Sequence, residues 1–151
     1  MAFEKTPRGS YGQQIPGFAK PLMKLMNPLM VMQARRGPAK ESGTLVLTTT
    51  GAKSGQRRQS ALGYFSDGDD AWLIVASAGG SVANPGWYHN LAANPRAEIE
   101  LGGRKVPVTA TQLAGPERDA AWQKVITASP RYASYSTKTD RLIPIIRLTA
   151  S

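Results

Sequence analysis

The chain has no cysteine and one histidine, His89. These absences exclude disulfide scaffolds, thiolate nucleophiles, iron–sulfur ligation and imidazole metal clusters, and they suit a reducing, cytoplasmic setting. Carboxylates are scarce as well: 10 Asp and Glu stand against 19 Lys and Arg in 151 residues, and Asp67, Asp69 and Asp70 crowd into one turn-like stretch. No pair of acids for general acid–base work and no carboxylate metal site emerges. Long apolar runs are missing too. In the leading segment the longest is Leu29 to Met32, far below the roughly 20 residues of a spanning helix, and no signal-peptide core precedes it.

What the chain does have is positive charge, and it is unevenly placed. Of the net +9, the residues up to Arg36 carry +5, the short stretch Lys53 to Arg58 carries +3, and everything else carries +1. A protein that coats nucleic acid usually spreads such charge over a face, so this pattern points to a basic leader plus one anion-binding loop, with no nucleic-acid partner expected. The loop reads Thr48-Thr49-Thr50-Gly51-Ala52-Lys53-Ser54-Gly55-Gln56-Arg57-Arg58-Gln59-Ser60. Gly51 and Gly55 permit positive φ and a close backbone approach to an anion, Lys53, Arg57 and Arg58 bring charge, and the hydroxyls add neutral donors. It lacks the leading glycine and the length of a P-loop. The plain alternative is a hairpin with a solvated basic tip.

Residues 1–36 read as a mobile polar leader followed by an amphipathic helix, and 37–151 as one folded domain. Phe18, Leu22, Leu25, Leu29 and Met32 recur at steps of four and three, a helical stripe flanked by Lys20, Lys24, Arg35 and Arg36, with a kink expected at Pro28. Such a helix either packs on the body of the fold or rests peripherally on anionic lipid. Beyond Gly37-Pro38 the texture is that of strands: Gly43 to Thr50, Arg57 to Phe65, Ala71 to Ser77, Ala97 to Leu101, Lys105 to Leu113 and Arg141 to Leu148. Pro144 places the last of these at an edge or bulge. Helices are expected from about Pro85 to Ala93, with Asn84 as cap, and from Pro116 to Ala128, with Trp122, Val125 and Ile126 inward. The sum is an α+β protein, a small β-barrel with short helices packed outside.

Little in this inventory does chemistry unaided. Trp87, Asn90 and Leu91 share a helical face by spacing, which turns His89 away as a partly exposed residue without a catalytic role. A chain poor in acids, bases and nucleophiles that still cradles an anion points to a cofactor that brings its own reactivity. Its polyanionic part would meet Lys53, Arg57 and Arg58. Its flat part would lie by Ser77, Gly79 and Gly80, whose small side chains allow close approach, with Trp87 and Asn90 as an apolar wall beside an amide. Trp87 is equally a core residue in waiting. Tyr132 and Tyr135 either line a substrate mouth or simply anchor a loop by their rings.

Three segments carry a family resemblance: LTTTGAKSGQRRQSAL (Leu47 to Leu62), ASAGGSVANPGWYHNLAANP (Ala76 to Pro95) and YASYSTKTDRLIP (Tyr132 to Pro144). In order and spacing the chain resembles the deazaflavin-dependent nitroreductase family of actinobacteria. The resemblance implies a split β-barrel, often a homodimer, that binds reduced coenzyme F420 (an 8-hydroxy-5-deazaflavin) and passes hydride to a small-molecule electron acceptor such as a quinone, an activated alkene or a nitroaromatic. By position it assigns the phosphate and oligoglutamate tail to Lys53, Ser54, Gly55, Gln56 and Arg58. Ser60, Ala76, Ser77, Gly79, Gly80, Trp87 and Asn90 would surround the ring. Tyr132 and Tyr135, with Ser77, are the candidate catalytic residues. The chain departs from the family at Ala61, where proline is frequent, at Ala78, where lysine is frequent, and at Ser129, where the nitroimidazole-activating type has tyrosine. Two rivals stand beside this reading: an FMN-dependent oxidoreductase on a related barrel, and a nucleic-acid-binding small β-barrel.

Overall fold

A computed structural model of the protein describes Lys5, Gly9 and residues 42–77, 84–137 and 142–151. The expected leader helix and the glycines Gly79 and Gly80 lie outside the described residues. The described chain forms six strands, β1 (Ser42–Thr50), β2 (Arg57–Ser66), β3 (Ala71–Val75), β4 (Arg96–Leu101), β5 (Arg104–Gln112) and β6 (Ile145–Ala150). Three helices accompany them: α1 (Gly86–Ala93), α2 (Gly115–Ala128) and α3 (Arg131–Thr137). The strands close in the order β1-β2-β3-β6-β5-β4, each neighbour antiparallel. This is a split β-barrel in the α+β class.

Strand alternation builds two cores from one sheet. Leu45, Leu47, Tyr64, Trp72, Ile74, Ile99, Val106, Val108, Ile146 and Leu148 form one cluster that fills the barrel, joined by Trp87, Tyr88 and Leu91 of α1, which plugs the interior. The opposite face of β2, β3 and β6 contributes Phe65, Leu73, Val75 and Ile145 to a second cluster, covered by Ala121 and Val125 of α2 and by Tyr132 of α3. Trp122 and Ile126 pack at its margin, as their helical spacing predicts. Period two in the strands and 3.6 in the helices thus share the apolar residues between an inner and an outer core.

Short links close the hairpins. Gly102 and Gly103 join β4 to β5 with φ of 56° and 76°, the doubly left-handed turn that two-residue hairpins require. Two sequence expectations need correction. β6 begins after Pro144, at Ile145, and lies between β3 and β5 in a closed barrel, so the proline marks a strand entrance and no edge. Its carbonyl is still used, accepting the Ala76 N–H at 2.9 Å. Asn84 does not cap α1: Pro85 occupies the cap position in extended conformation without a side-chain cap bond, and Asn84 is buried.

An ionic clamp holds α2 to the barrel. Arg147 on β6 donates from Nε to Asp67 Oδ2 at 2.6 Å and from Nη1 to Glu117 Oε2 at 2.7 Å. Lys124 on α2 donates to the Ser66 carbonyl at 2.7 Å and lies 3.5 Å from Asp67 Oδ1. The β2–β3 turn, the last strand and α2 are thereby tied together.

Candidate functional site

The basic loop folds as a tight turn at the open tip of the β1–β2 hairpin. Gly51 N–H donates to the Gln56 carbonyl at 2.7 Å, Gly55 N–H to the Gly51 carbonyl at 2.9 Å, and Gln56 N–H to Ser54 Oγ at 3.2 Å. Gly55 takes the left-handed conformation (φ 71°) that its lack of a side chain permits. Gly51 does not, and serves by its size: a Cβ there would sit 2.6 Å from Ser54 Oγ and 3.2 Å from the Gln56 carbonyl. Four amides of the turn are therefore spent internally or on α1, which leaves those of Lys53 and Ser54 uncommitted among the described residues.

Helix α1 holds this turn in place. Asn90 Oδ1 accepts the Ala52 N–H at 2.9 Å, and its Nδ2 donates to Thr49 Oγ1 at 3.1 Å. One side of α1 plugs the barrel through Trp87, Tyr88 and Leu91, while Gly86, His89 and Asn90 form the other side by their three and four residue spacing. Between that second side and the turn lies a cleft of about 530 Å³, lined by Lys5, Gly51, Ala52, Lys53, Ser54, Arg58, Gly86, His89 and Asn90. Its described wall holds three fixed cations and no carboxylate. His89, partly buried there, has its pKa lowered by burial and by the nearby Lys5, so its imidazole is neutral at physiological pH. The two arginines part company as strand alternation demands. Arg58 enters the cleft, whereas Arg57 faces the other way and pairs with Glu98 at 3.6 Å across the rim of a smaller cleft of about 260 Å³.

Residues 30–150 match the family of F420H(2)-dependent quinone reductases. The chain belongs to this family. An F420H(2)-dependent quinone reductase of Mycobacterium tuberculosis is 48% identical over 109 residues, covering 70% of this chain and 72% of the relative. Among solved structures, an F420-H2 dependent reductase superimposes with a TM-score of 0.64 at 42% identity, covering 70% of this chain and 92% of that one. Another, described as a domain-swapped dimer, gives a TM-score of 0.66 at 33% identity, covering 85% of this chain and 99% of that one.

On this F420H(2)-dependent reductase scaffold, the residues singled out by sequence separate into groups. Lys53, Ser54, Arg58 and Asn90 meet at the cleft. Gly55 and Gln56 belong to the same turn but are exposed beside it. Ser60 is half-buried two residues along β2 from Arg58, hence on the same strand face. Ala76 is fully buried, Ser77 is 8% exposed and Trp87 is 8% exposed, and Ala76 and Trp87 both belong to the barrel cluster. Trp87 thus packs inward, and the face expected to hold Trp87 with Asn90 is divided: Tyr88 turns in where Asn90 turns out. Tyr132 and Tyr135 stack edge to face at 5.5 Å, Tyr132 also meeting Phe65 at 5.7 Å, in the seam between α3 and the barrel. They stand outside the cleft lining. Sequence reasoning placed His89 as partly exposed but assigned neither it nor Lys5 to the cleft that both line. His89 was legible in principle, because Gly86, His89 and Asn90 are the positions left over once Trp87, Tyr88 and Leu91 are given to the core. Lys5 carried no signal at all, lying in the polar leader.

Proposed function

We propose that the protein reduces an electrophilic small molecule, with quinones first among the candidates, using coenzyme F420 whose anionic tail docks in the cleft between the β1–β2 turn and α1. The observation that carries this reading is the cationic cleft of Lys5, Lys53 and Arg58, without a carboxylate among its described residues, in a chain of this family. The donor set fits the group: Arg58 offers a planar fork and Lys53 a mobile ammonium for phosphate or carboxylate oxygens, and Ser54 adds a hydroxyl. When bound, F420H2 supplies a hydride. The chain supplies binding and orientation, with Asn90 keeping the turn in the shape that receives the tail. Ser60 on β2 and Ala76 and Ser77 at the end of β3 lead from the cleft toward the ring's side of the site. Ala76 belongs to the inner cluster, so alternation carried one residue further sets Ser77 with Leu73 and Val75, on the side where Tyr132 packs. Ser77, Tyr132 and Tyr135 are then the groups closest to the acceptor. The dimeric neighbour supports a homodimer as the working assembly.

Titration of the protein with coenzyme F420 beside FMN, followed by steady-state oxidation of F420H2 with a quinone, an enone and a nitroaromatic, tests the reading. F420 binding with quinone-dependent turnover is the expected result. Tight FMN binding with no affinity for F420 would overturn it in favour of the flavin enzyme.

A further inference from the structure

Among the described residues that line the cleft, His89 is the one whose ordinary pKa lies near neutrality; the rest are basic or uncharged. Around it stand Lys5 from the leader, Lys53 from the β1–β2 turn and Arg58 from β2, while its own helix contributes Gly86 and Asn90. Its ring meets Tyr88 edge to face at 5.6 Å, and the described wall contains no carboxylate to hold a proton on it. An empty cleft of this kind repels a fourth positive charge. A bound polyanion reverses the sign of the local potential, and an imidazole beside it then gains a proton and a second N–H donor.

We propose that His89 is a further ligand for the anionic part of the cofactor and that it couples docking to proton uptake, so that affinity rises as pH falls. The proposal rests on the F420 reading above. The sign follows from linkage: the group is neutral in the free protein, as its lowered pKa indicates, and protonated in the complex. Between the free and bound pKa values each unit of pH therefore changes affinity up to tenfold, with a plateau on either side. Asn90 is committed to Thr49 and Ala52, and neither bond involves a titratable group, so the turn itself adds no proton to the linkage.

Because the chain has a single histidine, one imidazole resonance reports the site without ambiguity. The test follows that resonance by NMR across pH 4.5 to 8.5 in the free protein, with coenzyme F420 and with inorganic pyrophosphate, and measures F420 affinity over the same range for the wild type and His89→Gln. We expect the His89 pKa to rise by about one unit or more with F420, and the wild-type Kd to tighten about tenfold from pH 7.5 to 5.5 relative to the variant. A resonance that F420 leaves unmoved while it binds, with parallel pH profiles for both proteins, would overturn the proposal and leave the F420 reading standing. A shift with pyrophosphate but no binding of F420 would do the reverse, supporting His89 as an anion ligand and removing the cofactor. Failure of both anions to move the resonance would overturn the proposal as well.

Discussion

Arg57 and Arg58 are adjacent, identical in chemistry and opposite in consequence. Period-two alternation alone separates them: Arg58 opens the face that continues through Leu62 and Tyr64 into the barrel, and Arg57 opens the outer face toward Glu98. Arg58→Ala removes a cleft cation and is expected to weaken F420 binding tenfold to a hundredfold, since a charge-assisted hydrogen bond is worth on the order of 1.5–3 kcal/mol. Arg57→Ala, which loses only an exposed ion pair, should leave the Kd within about twofold in the same titration. The aromatic pair divides in a comparable way. Tyr132 is 7% exposed, with its hydroxyl 3.0 Å from where a Cβ on Gly63 would sit, so that strand glycine is what makes room for it. Tyr132→Ala should cost about 3–5 kcal/mol of stability in chemical denaturation. Tyr135 is only half-buried, with its ring packed edge to face on Tyr132. Tyr135→Phe should lower kcat and kcat/KM together by about tenfold with cofactor Kd unchanged, and unchanged turnover would confine Tyr135 to packing. Residues whose role follows from local periodicity were thus legible in the sequence. His89 is partly exposed and turned away from Trp87 and Leu91, as its spacing predicts; the residue that changed sides is Asn90, which lines the cleft while Tyr88 turns into the core.

At the scale of elements, the six strands and the helices α1 and α2 were legible to within a few residues, whereas α3 was not expected after the break at Ser129-Pro130, and the attachments between elements were not legible. Asp67 illustrates this. In sequence it is one of several turn carboxylates, and its partner Arg147 is 80 residues away, beyond any local signal. In the fold it joins β6 and, through Lys124, α2. Burial opposes its charge, but the hydrogen bond and field of Arg147, reinforced by Lys124, outweigh that cost and hold its pKa below the usual value. A depressed folded-state pKa contributes stability that is present above the unfolded carboxylate pKa near 4 and is lost as pH falls through the folded value. Denaturation midpoints measured from pH 7 down to pH 2.5 should therefore fall more steeply for the wild type than for Asp67→Asn, which begins less stable at pH 7. Parallel pH profiles would show that the clamp adds no net stability. The same distance argument explains β6, whose start was set too early: nothing local to Arg141 to Pro144 distinguishes them from the strand that follows.

For the molecule as a whole, the hairpins β1–β2 and β4–β5 are sequence-local and were readable, while the closure of β1 on β4 and of β6 between β3 and β5 was not. Closure is uneven. β1 and β2 register over nine residue pairs, but β2 and β3 over only two, Phe65 with Leu73 and Ser66 with Trp72. Among the described residues, the stretch Arg57 to Tyr64 of β2 therefore has a registered strand on one side alone, and alternate amides there point away from β1. That seam is bordered by Arg58 and Ser60 on one side and leads to Ala76 and Ser77 on the other, so under the proposed function it is where a flat ring joined to a tail in the cleft would lie. Hydrogen exchange offers a direct check. In the free protein the β2 amides between Arg57 and Tyr64 should exchange faster than those of Ile74 and Ile146, which sit in the fully paired β3–β6 ladder. Coenzyme F420 should then protect three places together: the turn from Gly51 to Gln56, the seam at Arg58 to Ser60 with Ala76 and Ser77, and α1 around His89 and Asn90. The β5–β6 ladder on the far wall should be unaffected beyond the uniform gain that any ligand of the native state confers. Protection confined to the turn would mean that the tail docks there while the ring lies elsewhere, and protection centred on β5 and β6 would move the whole site to the opposite wall of the barrel.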